Sequence, residues 1–212
     1  MGASSTPQLN WGTDNIEKDR PLAFINWEAL KQFAREARRQ VDDGNSLCTL
    51  SAEYNMGGLH IVRRIDFNDG RQWVACLQLE PPTRESCDRL RTELDTMAAV
   101  RSLSNIPIPQ VFAHDCNIAN SSGIGAAFML MDFIPGNTAM DSFGGWDVHK
   151  GEMPFHFKLQ LYSSLADIQT SLSSIRFSQI GTIVRRPNGV FDIGPIPNIG
   201  GPFFTAAAFF LT

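Results

Sequence analysis

No apolar run in these 212 residues approaches the ~20 that a membrane-spanning helix needs, so no span is expected. Basic blocks are lacking as well. No run of lysine or arginine is longer than a pair, and 18 basic against 22 acidic side chains leave a net charge of -4. Nucleic acid and anionic membrane are therefore not expected partners. The four cysteines, Cys48, Cys76, Cys87 and Cys116, stand singly without CxxC spacing. Free thiols in a reducing compartment are the simplest reading. His60, His114, His149 and His156 form neither HxxxH nor HExxH, which leaves a zinc site without support. The opening "MGASSTPQLNWGTDNIEKDR" has neither the apolar core of a signal peptide nor the acid-free basic character of a transit peptide. Gly2 with Ser5 fits a myristoylation pattern only loosely. The expected location is the cytoplasm.

What is present is ample core material, since 43% of the residues are hydrophobic, enough for one large or two small domains. After a polar arm over residues 1–20, "FINWEALKQFAREARRQV" sets Ile25, Leu30, Phe33 and Ala37 on one face of a helix. Two β signatures follow, His60–Phe67 and Arg71–Leu79. The turn Asn68-Asp69-Gly70 separates them. Gly57 and Gly58 imply another turn upstream, freeing the backbone for positive φ. The stretch reads as a three-stranded antiparallel meander.

Beyond Pro81-Pro82, "TRESCDRLRTELDTMAAVRSLS" repeats Leu90, Leu94, Met97 and Leu103 at helical spacing. Pro107 and Pro109 hold "IPIPQVFAHD" extended, and "GAAFMLMDFIPG" is a short apolar strand closed by Pro135-Gly136. A glycine-rich loop, residues 137–153, precedes "FHFKLQLYSSLADIQTSLSSI", a second long helix marked by Phe157, Leu161, Leu165, Ile168, Leu172 and Ile175. A hairpin about Pro187-Asn188-Gly189 and an apolar stretch with Phe203, Phe204, Phe209, Phe210 and Leu211 complete the chain.

This order of elements is similar to the small lobe of a protein-kinase-like fold followed by the first helix of its large lobe. The strings "FNDGRQWVACLQL", "LRTELDTMAAVRSLSNIPIPQVFAHD", "GAAFMLMDFIPG" and "FSQIGTIVRRPNGVFDIGPI" closely resemble the fungal branch of the aminoglycoside phosphotransferase family, relatives of choline kinase. The resemblance runs from about residue 46 to about residue 210. It implies an α+β fold in three parts. An arm and helix would span residues 1–45, a small lobe with a five-stranded antiparallel sheet and a helix residues 46–136, and a linker with an incomplete, mainly helical large lobe residues 137–212.

The family's activity is ATP-dependent phosphoryl transfer to a small-molecule hydroxyl, and its parts can be sought one by one. The phosphate-covering turn falls on Gly57 and Gly58, which are equally read as an ordinary hairpin turn. The helix glutamate falls on Glu93, either aimed at a nucleotide cleft or solvated. The adenine-facing strand end falls on Met131, Asp132 and Phe133, through backbone groups. The third-strand cation falls on Cys76. There the charge is missing, and a thiol with an ordinary pKa near ~8.5 cannot neutralise phosphate oxygens at neutral pH. Cys76 by itself reads as a small buried hydrophobe.

No HGD or HRD string, which the family's catalytic loop resembles, occurs in the 212 residues. Asp192 reads as a turn or strand residue and Asp167 as a solvent-facing helix carboxylate, neither a metal ligand. The expectation is a pseudo-enzyme or accessory binding protein, with no catalytic residue, metal or cofactor. ATP and magnesium would enter only if the cleft is functional or completed by another chain. A fragment or split subunit of a phosphotransferase is the alternative, and the same fold turned to another biosynthetic step a remote one. The apolar C-terminal residues point to a protein partner or self-association.

Overall fold

The computed structural model describes residues 23–41, 47–136 and 138–211. The arm expected over residues 1–20 lies outside them. Helix α1, Trp27–Val41, starts where Asn26 Oδ1 accepts the Ala29 amide at 3.0 Å, satisfying one orphan donor of the first turn. Glu28 in that first turn and Arg38 and Arg39 in the last complement the helix dipole. The apolar stripe buries Leu30, Ala34 and Ala37.

Strands β1 (Cys48–Met56), β2 (His60–Phe67) and β3 (Gln72–Gln78) form the expected meander. Helix α2 follows over Arg84–Leu103, then β4 (Val111–Asp115) and β5 (Phe128–Asp132). The five strands form one antiparallel sheet in the order β1-β2-β3-β5-β4. β3 is therefore central. Every residue from Trp73 to Gln78 is buried, which explains why "WVACLQ" is nearly continuous in apolar groups and does not alternate.

Alternation along the strands sorts the sheet into two faces. One face carries Ile61, Ile65, Phe67, Trp73, Ala75, Leu77, Phe128 and Leu130, and α1 lays Leu30, Ala34 and Ala37 into this core. Phe33 meets Phe128 edge-on at 5.0 Å, and Trp73 stacks on Phe112 at 4.2 Å. The other face carries Val62, Arg64, Val74, Cys76, Gln78, Met129 and Met131 by the same registers.

An ion pair between a buried arginine and an exposed aspartate ties α1 to the β2–β3 turn. The Arg38 side chain is 2% exposed, and its Nη2 lies 2.8 Å from Asp69 Oδ2. The Arg38 hydrogen bond, with the Arg71 amide second, holds the Asp69 carboxyl below its ordinary value. A depressed carboxylate contributes stability that is present above the unfolded-state value of ~3.9 and is lost as pH falls through the folded value. Asp69 is 37% exposed, so solvent screens part of the effect. Asp69→Asn is expected to cost about 1–2 kcal/mol at pH 7. Denaturant melts of both proteins should show that gap shrinking as pH falls below about 4.

The described residues divide into two compact units. One takes in the chain up to Cys87 together with Pro109–Phe155, and the other Asp88–Ile108 together with the chain from His156 onward. In the first unit the segment read as a loop over 137–153 contains a turn of 3-10 helix, Ser142–Gly144, and the short helix α3, Trp146–His149. His149 pins it, with Nε2 3.1 Å from the Met140 carbonyl and Nδ1 accepting the Gly151 amide at 2.9 Å.

The second unit holds most of α2, helix α4 (Phe155–Ser174) from His156 on, strands β6 (Thr182–Arg185) and β7 (Phe191–Gly194), and the short helix α5 (Ala206–Phe210). The β6–β7 hairpin turns at Pro187-Asn188-Gly189, where Gly189 takes φ +82° and the Arg186 amide donates to the Val190 carbonyl. Along α4, Phe157, Leu161 and Ile168 sit half-buried, as does Ile175 just past its end, whereas Leu165 and Leu172 are 45% and 43% exposed. The expected apolar stripe is thus only partly covered.

Candidate functional site

The face of the sheet opposite α1 carries two of the residues that the sequence singled out, Cys76 and Met131. In register across β2, β3 and β5, Val62 faces Cys76 and Cys76 faces Met129, while Arg64 faces Val74 and Val74 faces Met131. Cys76 is 7% exposed and Met129 2%. The middle of this face is therefore a closed row of aliphatic and sulfur-bearing groups. All four cysteines are thiols and not disulfides.

At one end of this face stands Gln78, buried to 3% exposure. Its Nε2 donates to the Ser86 carbonyl at 2.9 Å in the first turn of α2. That turn is fixed by a reciprocal cap: Ser86 N donates to Thr83 Oγ1 at 3.0 Å and Thr83 N to Ser86 Oγ at 2.8 Å. Gln78 Oε1 accepts no hydrogen bond among the described residues. A buried acceptor left so costs about 1–3 kcal/mol until a donor reaches it.

At the other end Arg64 supplies a cation that the reading of single motifs missed. Its Nε lies 2.9 Å from Asp66, and its guanidinium sits 5.6 Å from the ring centroid of Phe133. Gln72 Nε2 donates to the same Asp66 carboxylate at 2.7 Å. The signal was available, because counting by two from Val62, the neighbour of Cys76, arrives at Arg64. Its charge is balanced locally and lies two residues along the strand from the Cys76 row.

The β1–β2 turn differs from expectation in its backbone. Neither Gly57 nor Gly58 takes a positive φ, and a Cβ at Gly57 would only touch the His60 carbonyl at an ordinary 3.9 Å. Nothing lies within 4 Å of a Cβ at Gly58. The turn closes through the Gly57 amide donating to the His60 carbonyl at 2.9 Å, so glycine is tolerated there without being sterically required.

The end of β5 is likewise more self-contained than expected. The Asp132 amide donates to the Gln110 carbonyl at 3.0 Å, and the Phe133 amide points to the Gln72 carbonyl at 3.4 Å. Asp132 Oδ2 in turn accepts the Gln110 amide at 2.8 Å. Met131 is held in the ladder between Val74 and Val111. These backbone donors serve the sheet first.

Glu93 belongs to the second unit, half-buried on α2 and not fully solvated. Asp167 is exposed on α4, as expected of a solvent-facing helix carboxylate. Among the described residues, no three His, Cys, Asp or Glu side chains are gathered as for a metal ion, and no helix is long and apolar enough to cross a membrane.

The first unit is thus defined by a five-stranded antiparallel sheet with one helix-covered face and one face floored by thiol, thioether and aliphatic groups. No protein-family model matches the chain, and neither a curated protein nor a solved structure matches it.

Proposed function

We propose that this chain is an aminoglycoside-phosphotransferase-like binding protein, a pseudo-enzyme that holds a ligand or a protein partner without transferring phosphate. The observation that carries the reading is Cys76. It stands in the middle of the central strand, on the face opposite α1, between Val62 and Met129, and the sequence resemblance aligns it with a phosphate-pairing lysine or arginine of the family. Phosphoryl transfer rests on positioning and charge stabilisation. A buried apolar row supplies neither.

Two further features support binding over catalysis. Gln78 Oε1 is a buried acceptor at the edge of the same face, suited to a ligand N–H or O–H and not to an anion. Phe204, Phe210 and Leu211 are 79%, 80% and 87% exposed, apolar area suited to a protein contact or self-association.

The test is the thermal midpoint of the purified chain with and without ATP and magnesium. At 1 mM nucleotide a site weaker than millimolar shifts it by less than about 2 °C, and this is the expected result. A rise of several degrees at micromolar nucleotide would show that the face accepts phosphates without the cation, and the reading would fall.

A further inference from the structure

His149 is a buried imidazole in the first unit that takes no part in the sheet face. Its two ring nitrogens are engaged in opposite senses. Nδ1 accepts the Gly151 amide at 2.9 Å, which leaves the ring hydrogen on Nε2, 3.1 Å from the Met140 carbonyl. One neutral tautomer satisfies both bonds. The imidazolium satisfies only one, because a second N–H, at Nδ1, would face the N–H of Gly151.

Those two bonds close the loop from Met140 to Gly151 on a single side chain. Little else favours the closed form. Phe143 at φ +54° and Lys150 at φ +46° take left-handed conformations without being glycine, which costs backbone strain. Helix α3 is one turn long and packs on the 3-10 turn Ser142–Gly144, so neither would persist alone.

The charged groups of this region lie on the same two elements and their flanks. Asp141 Oδ2 accepts the Thr138 hydroxyl at 2.6 Å, Asp147 pairs with Lys150 at 2.9 Å, and Glu152 follows the loop. Among the described residues none of them bonds the imidazole. Its other contact is Trp146, edge-on at 5.8 Å.

We propose that residues 140–151 are a proton-operated strap, held closed by neutral His149 and released when the ring takes a proton. An exposed imidazole takes its proton near pH ~6.5. The released strap is free to do so, and the closed strap must give up the Gly151 bond. Closure is therefore full above that pH and is lost as pH falls, each unit favouring release by up to about tenfold. Release would free Met140, Trp146 and Val148, all exposed, to adapt to an apolar surface. This device is independent of the reading of Cys76.

Hydrogen exchange on the full chain at pH 7 and pH 5, corrected for intrinsic rates, reads the opening equilibrium. The Gly145, Lys150 and Gly151 amides bond within the strap and are expected to lose protection together, by about twentyfold or more. The Gln78 amide, bonded to the Ala127 carbonyl in the sheet, should keep its protection within about twofold. His149→Asn puts an amide oxygen in place of Nδ1, takes no proton and leaves every carboxylate in place, so its strap should be equally protected at both values. If that variant closes poorly, ring ¹⁵N shifts of the parent decide: the ring must pass from the Nε2–H tautomer to the imidazolium over the same pH range in which protection is lost. A parent strap that stays protected at pH 5, a loss confined to Gly151, an equal loss in His149→Asn, or a ring that stays neutral while protection falls overturns the proposal.

Discussion

Gly125→Ala is expected to destabilise the first unit by about 3 kcal/mol or more, lowering its thermal midpoint by roughly 6 °C or more. Gly125 takes φ +96°, where a side chain is strained, and a Cβ there would fall 2.2 Å from the Phe24 carbonyl oxygen and 3.2 Å from its carbon. Backbone is not a flexible neighbour. The clash must be relieved by moving the lead-in to α1 or the lead-in to β5. Both are fixed: the Asn26 amide donates to the Ile124 carbonyl at 2.8 Å, and the Gly125 amide to Asn120 Oδ1 at 2.9 Å. Ile124 and Ala126 on either side are buried to 0% and 1% exposure. Gly58→Ala is the control, since its Cβ meets nothing within 4 Å and its φ is ordinary. It should change stability by less than about 0.5 kcal/mol. Chemical denaturation of the two variants decides the matter, and equal midpoints would show that the contact at Gly125 is relieved without cost.

That contrast also shows what the sequence can and cannot reveal. Gly57 and Gly58 are conspicuous as a pair, yet the turn they form asks for no positive φ. Gly125 is inconspicuous in "GIGAAFML", and its need for glycine comes from the carbonyl of Phe24, far away along the chain. A close approach set by tertiary packing leaves no local pattern. Periodicity, by contrast, carried the elements well. β2 spans His60–Phe67 as the alternation and the Asn68-Asp69-Gly70 turn imply, and α2 runs over Arg84–Leu103 within the amphipathic stretch.

Within the candidate site the legible part is again the local part. The position of Cys76 on the third strand followed from the hairpin before it. Which face Cys76 occupies, and that Met129 and Val62 flank it, required the strand order β2-β3-β5, which no single strand encodes. Arg64 was missed because the alternation was not counted back across the hairpin from Cys76, and the unmet Oε1 of Gln78 because the Ser86 carbonyl that fixes its Nε2 lies beyond the Pro81-Pro82 turn. The amides of Asp132 and Phe133 were assigned to a ligand because the register that occupies them with Gln110 and Gln72 is a property of the folded sheet.

Cys76→Lys tests that placement most directly. Without nucleotide the substitution is expected to cost about 3 kcal/mol or more, because an ammonium replaces a thiol in a row only 7% exposed at this residue and flanked by Val62 and Met129. Cys76→Val, which adds about one methyl group of volume and no charge, should cost about 1–2 kcal/mol, less than the lysine. The valine variant gives the cost of a small enlargement without charge. The two explanations of Cys76 then diverge when ATP and magnesium are added. If the residue stands where a phosphate-pairing cation belongs, lysine creates a ligand-dependent partner for its own charge. Nucleotide at a hundredfold above the dissociation constant would return about 2.7 kcal/mol, raising the midpoint of the lysine variant while leaving the parent and the valine variant where they were. If Cys76 is a core residue and nothing more, the lysine variant is just as unstable with nucleotide as without it. A lysine variant that loses stability and recovers none of it with MgATP would remove the main support for a phosphotransferase ancestry of the site. A lysine variant as stable as the valine one would show instead that this face of β3 opens to water. The buried row would then no longer support the proposed loss of phosphoryl transfer.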